Sequence, residues 1–188
     1  MHVKIDDKDR TIISMYARDP HVSQDDIAEE LGMSQPSVAL RIRKLRESGA
    51  METLVGVNPQ RMGLNIAKVD VSTNDTNELL SMFRNCPFFM NGFVVSGRYN
   101  LCLLFMSEDI ATMESIINGH IRPNPNVREV DFNIIISSAR PFVVPTDMTA
   151  SSNRAPCGYR HQCKDCPSFA AGNCLGCPVI GQYKGWFF

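Results

Sequence analysis

Apolar residues spaced three or four positions apart run through the first 50 residues, a period that is typical of short amphipathic helices. A first helix is predicted to end at Asp19-Pro20, and its apolar face carries Ile12, Ile13 and Tyr16. A second helix is predicted to begin at Ser23, which can cap it together with Asp26, and to end at Gly32.

A third helix is predicted between Ser34 and Gly49, with an apolar stripe formed by Val38, Ile42 and Leu45. Residues 51–57 are then predicted to form a short pair of strands, the wing of a winged helix-turn-helix domain. The second and third helices are joined by a tight turn at residues 31–33, so the third helix can enter the major groove of DNA.

The period changes to two in the middle of the chain, where Ala67, Val69 and Val71 alternate with polar residues. Further strands are predicted at residues 93–95, 101–106 and 130–136. A helix is predicted at residues 75–83, and a second helix, marked by Ile110, Met113 and Ile117, ends before Pro123. The order β-α-β-β-α-β is the ferredoxin-like arrangement, and the predicted fold class is α+β. Because the strand at residues 101–106 is apolar on both faces, we expect a second subunit to cover the face that the helices leave open.

The chain is predicted to divide into four parts. These are a winged helix-turn-helix domain (1–60), a ferredoxin-like dimerisation and effector domain (61–140), a linker (141–156) and a cysteine-rich metal module (157–188). The last part holds five cysteines in a segment too short to bury enough apolar surface to fold unaided, and metal binding is the usual remedy.

Composition and charge limit the class of protein. The 188 residues are 44% hydrophobic and 21% charged with a formal net charge of −1, so a DNA site must come from local clustering of basic residues. The first residues lack the apolar core of a signal peptide, and no apolar run approaches the length of a membrane span. We therefore expect a cytoplasmic protein, in which a cluster of cysteines binds metal or does redox work.

The third helix carries the predicted DNA contacts. Polar side chains near its start, Ser34, Gln35, Ser37 and Arg41, are predicted to reach base edges, and Arg43 and Lys44 to contact phosphates. The alternative is an amphipathic helix whose polar face is simply solvated.

Several stretches resemble the Lrp/AsnC family of bacterial and archaeal regulators. They are residues 5–13, residues 27–34, the run from Val38 to Gly49, and residues 56–59 followed by 62–64. The likeness covers about residues 4–140. It implies a homodimer that binds double-stranded DNA at a near-palindromic site, often assembled into larger rings.

The turn before the third predicted strand departs from the family. The resemblance implies an amino-acid effector pocket built on a Gly-x-x-Asp pattern at this turn, whereas this chain has Gly97, Arg98, Tyr99 and Asn100. An amino-acid effector therefore stays an open question.

The cysteines of the tail are spaced Cys157-x5-Cys163-x2-Cys166-x7-Cys174-x2-Cys177. Two C-x2-C pairs so close together indicate a metal site, since each pair can chelate from a tight turn; a reactive or disulfide-forming thiol cluster is the alternative. Zinc would need four thiolates, but zinc ribbons separate their pairs by roughly 15–20 residues. Cys166 and Cys177 each precede a proline, as in bacterial ferredoxins, which favours a four-iron, four-sulfur cluster. Five cysteines compete for the four ligand positions of such a cluster, and Cys157 is the least certain ligand.

The remaining candidates have plainer interpretations. His161 is a possible ligand or a surface histidine, and Cys86 and Cys102 are predicted to be buried packing residues. The terminal aromatic residues are predicted to pack on the metal centre or on the body, with a partner-binding patch as the alternative; they are Tyr183, Trp186, Phe187 and Phe188.

The leading hypothesis is a homodimeric DNA-binding regulator that senses redox state, oxygen or iron through the cluster. A structural zinc tail is the alternative within the same class. Siroheme decarboxylases resemble this architecture and are enzymes, but residues 61–140 offer one histidine, His120, and few arginines to line a haem cleft. We therefore predict that the chain is not an enzyme.

Overall fold

The structure is a computed structural model that describes residues 4–152, 154–157 and 163–188. The chain forms two compact units that divide after Leu54. The C-terminal cysteine segment belongs to the same unit as the β-sheet.

The first unit contains three helices, α1 (Asp7–Arg18), α2 (Gln24–Leu31) and α3 (Gln35–Glu47), as the sequence predicts. Asp6 caps α1 in a reciprocal pair with Asp9, and Ser23 caps α2 by accepting a hydrogen bond from the main chain of Asp26. Gly32 ends α2 with a φ of 59°, a left-handed conformation that favours glycine. Local sequence signals therefore set the ends of these helices.

One apolar cluster holds the three helices together. It is formed around the fully buried Ile12, Ile27 and Val38, with Ile42 and Leu45 completing the face of α3. Because these positions of α3 point inward, its polar positions are left at the surface.

The predicted wing is wrong as a pair of strands. In residues 51–57 the structure has no strand, and Val57 makes an isolated bridge with Val144 through two main-chain hydrogen bonds of 2.9 and 2.8 Å. Leu54 and Val55 are 57% and 86% exposed, so the segment has no packed face to stabilise a hairpin. Seven residues are also too few for two strands and a turn.

The second unit contains the predicted ferredoxin-like order. It comprises β1 (Asn65–Thr73), α4 (Thr76–Phe83), β2 (Phe89–Val94), β3 (Leu101–Ser107), α5 (Ile110–Ile116) and β4 (Val127–Ile135). The four strands form one antiparallel sheet in the order β2-β3-β1-β4.

Two strands begin earlier than predicted. Strand β2 begins at Phe89 rather than residue 93, and Phe89 pairs with Phe105 across an irregularity in the register. Strand β4 begins at Val127 rather than residue 130. After α5 the chain continues in a π-helical turn, Ile117–Ile121, so the helical stretch ends before Pro123 as predicted, with His120 in its last turn.

The core of this unit lies between the helices and one face of the sheet, around Phe83, Phe105 and Met113. On the opposite face Phe187 packs on Met106 and Leu64. At this end of the sheet the C-terminal residues of the same chain therefore cover part of that face, and the second subunit expected there stays a prediction.

In the part of the chain that the structure describes, no helix is both long and apolar enough to span a bilayer.

Candidate functional site

The start of helix α3 presents the polar residues that the sequence assigns to base contacts. Ser34, Gln35 and Ser37 are exposed. The hydroxyl oxygens of Ser34 and Ser37 are 2.8 Å apart, and Gln35 donates to the side chain of Gln24 on α2 at 3.2 Å. These bonds orient the side chains near the helix start without burying them.

Arg41 is occupied within the unit. Its Nη1 donates to Asp6 at 2.8 Å and to Asp9 at 2.7 Å, and hydrogen bonds to Asp9 and then to Asp6 raise the pKa of the guanidinium. Sequence reasoning missed this pairing, because the acidic residues lie more than 30 positions away in the sequence. Arg43 and Lys44, the predicted phosphate contacts, are exposed.

The predicted effector turn is tied into the sheet. The Asn100 side chain accepts from the Thr73 main-chain N–H at 2.9 Å and donates to the Thr73 carbonyl at 2.8 Å. Arg98 pairs with Glu129 at 2.7 Å and lies over the Tyr99 ring, while Gly97 adopts a φ of 122°. Asn100 therefore acts as a main-chain anchor in this structure.

A cavity of about 230 Å³ lies between the tail and the body of the second unit. All five predicted ligands line it, together with two residues that sequence reasoning did not connect with them, Cys86 and His120. The five are Cys157, Cys163, Cys166, Cys174 and Cys177. His161 lies outside the described residues, and Cys102 lies on β3.

The tail is docked on helix α5. The main-chain N–H of Leu175 donates to the Thr112 hydroxyl at 2.8 Å, and the Ser115 hydroxyl donates to the carbonyl of Asn173 at 2.8 Å. The tail is built from two 3-10 turns, Cys163–Asp165 and Pro178–Ile180, around the short helix α6 (Pro167–Ala170). The body of the unit thus supplies part of the packing that a separate metal module would have to provide for itself.

Burial controls the ionisation of the tail thiols. It raises the pKa of Cys163 and Cys174, and it raises the pKa of Cys177 to about 11. A neutral thiol must lose its proton to bind a metal, so uptake of a cation would release protons here. Among the described residues no three histidine, cysteine or acidic side chains converge closely enough to hold a single ion.

Glu108 fastens the C-terminus to the body. Its Oε1 accepts from the main-chain N–H groups of Trp186 at 2.7 Å and Phe187 at 2.8 Å, and from the Tyr183 hydroxyl. Burial and the Glu108 hydrogen bond raise the pKa of Tyr183. The prediction that the terminal aromatic residues pack on the body is confirmed for Tyr183, Phe187 and Phe188, whereas Trp186 is 62% exposed.

Gly176 is a sensitive point of the cavity wall. Its φ is +86°, and an added Cβ would collide with the carbonyl oxygen of Gln182 and with the Phe169 ring. We expect Gly176→Ala to open the tail, while Gly172→Ala, which is also at positive φ but meets open space, should do less. Hydrogen exchange of residues 163–188 measures the opening, and equal protection in both variants would contradict the prediction.

Comparisons with known proteins agree with the fold. A family model described as winged helix-turn-helix DNA-binding matches residues 5–50. The HTH-type transcriptional regulator LrpA of Pyrococcus horikoshii is 24% identical over 140 residues, covering 72% of this chain and 99% of that protein. The regulatory protein AsnC of Haemophilus influenzae is 22% identical over 148 residues, covering 76% of this chain and 97% of that protein.

Solved structures show the same architecture. E. coli AsnC matches with a TM-score of 0.64 at 14% identity, over 76% of this chain and 99% of that one. B. subtilis LrpC matches with a TM-score of 0.63 at 22% identity, over 73% of this chain and 99% of that one. A helix-turn-helix unit followed by a four-stranded antiparallel sheet is thus the fold of these regulators.

The fold and the family match define a helix-turn-helix DNA-binding unit followed by a domain with a four-stranded antiparallel sheet. In sequence and fold the chain is similar to the transcriptional regulators named above, LrpA and AsnC among them. These relatives are named as regulators, which supports the prediction that the chain is not an enzyme and gives the siroheme-decarboxylase alternative no support. About a quarter of this chain lies outside matches that cover those proteins almost completely.

Proposed function

We propose that the protein is a homodimeric regulator that binds double-stranded DNA in a sequence-specific way and responds to redox state, oxygen or iron through an iron–sulfur centre. The observation that carries the DNA-binding half is helix α3, whose apolar face is buried and whose polar start is exposed. The cysteine-lined cavity supports the sensing half. We place its action in the cytoplasm.

The side chains that contact the DNA bases are Ser34, Gln35 and Ser37, which are exposed at the start of α3. Asp6 and Asp9 already accept hydrogen bonds from Arg41. To contact a DNA base, Arg41 would therefore have to break its hydrogen bond to one of these carboxylates. Arg43 and Lys44 contribute charge for phosphates.

Lys44→Ala is expected to weaken DNA binding several-fold on any sequence, because the lysine contributes charge rather than base recognition. Loss of one phosphate contact should reduce the slope of log K against log salt by about 1. Binding titrations at several salt concentrations measure this slope. Lys8→Ala, an exposed lysine on α1, is the matched control and should leave the slope unchanged.

An iron–sulfur cluster suits the cavity better than zinc does. A zinc ion needs its four thiolates within bonding distance of one point, about 2.3 Å from each sulfur. All five tail cysteines are among the residues that line a cavity of about 230 Å³, and no three donors among the described residues converge on a point. A four-iron cluster takes one thiolate at each corner and therefore draws its ligands from the walls of a larger space.

The contacts of the tail offer a route by which a change at the iron–sulfur centre could reach the sheet. From Cys177 the chain runs through the turn Pro178–Ile180 to Tyr183 and Phe187, which Glu108 holds against the sheet. If loss of the cluster loosened this segment, Met106 and Leu64 would lose the cover of Phe187. A sensor needs two states with different affinity for DNA, and this segment is our candidate for the element that changes.

The test uses full-length protein purified without oxygen. We expect a brown protein with iron and sulfide in equal amounts, and an affinity for its operator, selected from a random DNA pool, that changes when air destroys the cluster. Unchanged affinity would reduce the cluster to a structural part. Zinc without sulfide would favour the structural zinc tail, and failure to select any DNA would overturn the regulator proposal.

A further inference from the structure

His120 lies on the wall of the cavity that the body of the unit provides, in the π-helical turn Ile117–Ile121. Its Nδ1 is 2.9 Å from the main-chain carbonyl oxygen of Ile116, and its Nε2 is 3.1 Å from Cys157 Sγ. A carbonyl oxygen can only accept a hydrogen bond, so Nδ1 carries the proton and donates it. In the neutral ring the lone pair is then on Nε2, facing Cys157 and the cavity.

The Phe83 ring flanks His120, with the two ring centroids 6.0 Å apart. A neutral imidazole is the form that binds metal ions.

The hydrogen bond to Ile116 is the arrangement that metal-binding histidines commonly have. Such histidines donate their second ring N–H to a carbonyl or carboxylate, which fixes the tautomer and the ring orientation. The π-helical turn provides this bond, and turns of this kind occur frequently at functional sites.

A ligand on the body side would attach a metal centre in this cavity directly to the sheet domain. Among the described residues that the body contributes to the wall, two can ligate a metal, Cys86 and His120. Cys86 packs against the apolar core. His120 is the better donor because its Nε2 has no proton to lose.

We propose that His120 Nε2 is a ligand of the metal centre, in the position next to Cys157, and that tail thiolates take the other positions. This inference rests on the proposed iron–sulfur centre. In a four-iron cluster each iron takes one protein ligand, so His120 takes the place that Cys157 would otherwise fill, and cysteines of the two C-x2-C pairs fill the other three. The centre is then attached directly to the body of the sheet domain.

The test is pulsed electron paramagnetic resonance of the reduced, full-length protein prepared anaerobically. We expect a strong nitrogen hyperfine coupling that changes when the protein is labelled with ¹⁵N-histidine. His120→Ala should lose this coupling and part of the iron. His120→Cys should retain the iron, lose the coupling and shift the midpoint potential downward, because a thiolate stabilises oxidised iron more than an imidazole does.

His21→Asn, an exposed histidine of the first unit, is the control and should keep the coupling. An iron-loaded protein without the coupling, or a His120→Ala variant that retains it, would overturn the His120 ligand and leave the iron–sulfur centre standing. A protein that takes up no iron would instead overturn the centre itself, and this inference with it.

Discussion

The double substitution Cys163→Ser and Cys177→Ser is expected to abolish iron binding and with it any response of operator affinity to air. It removes one thiolate from each C-x2-C pair, and a serine hydroxyl does not replace a thiolate as a ligand of iron at neutral pH. Both cysteines line the cavity, and the main-chain N–H of Cys166 donates to the carbonyl of Cys163, which closes the first pair into a turn. Iron and sulfide analysis of anaerobic protein measures the first effect, and operator binding before and after exposure to air measures the second.

Cys102→Ser is the matched control for this loss. Cys102 lies on β3, pairs with Asp70 and Phe93 across the sheet, and is absent from the described lining of the cavity. The control should keep its iron and its response. Iron content at the wild-type level in the double variant would show that the tail pairs do not hold the cluster.

Phe105→Ala is expected to lower the free energy of unfolding of the second unit by about 3–5 kcal/mol, the range for a large aromatic residue removed from a packed core. Phe105 is fully buried on β3. Its ring meets Phe83 edge to face with centroids 5.0 Å apart, and Phe89 lies at 5.5 Å. Truncation removes both ring contacts and leaves a cavity between the sheet and the helices. Urea titration followed by circular dichroism measures the loss.

Trp186→Ala is the control for aromatic content. Its side chain is 62% exposed, so its truncation should change the free energy of unfolding by less than about 1 kcal/mol. Similar losses in the two variants would show that the Phe105 ring is not the centre of the core.

The sequence was sufficient to predict where the helices of the first unit begin and end. Ser23 caps α2 and Gly32 ends it, as the local residue types predict. These signals act over one turn of chain, so they can be read without knowledge of the fold. The order of elements in the second unit was also predictable, since the alternation of apolar residues on β1 reports which face is buried.

Features that depend on a partner in the chain were not predictable. Residues 51–57 lack a strand pair because Val57 finds its partner at Val144. Arg41 was assigned to DNA bases, but the fold brings Asp6 and Asp9 to it. Neither pairing leaves a periodic signal in the sequence.

The sequence by itself determined a helix-turn-helix unit, a β-α-β-β-α-β order and a tail with two closely spaced C-x2-C pairs, because each depends on short-range spacing of residue types. Only the tertiary structure decided what the tail contacts. It brought His120 to Cys157 across 37 positions and placed Glu108 under the main chain of Phe187, 79 positions away. Contacts of such sequence separation depend on how the tail packs on α5 and the sheet, and spacing along the chain carries no record of that packing.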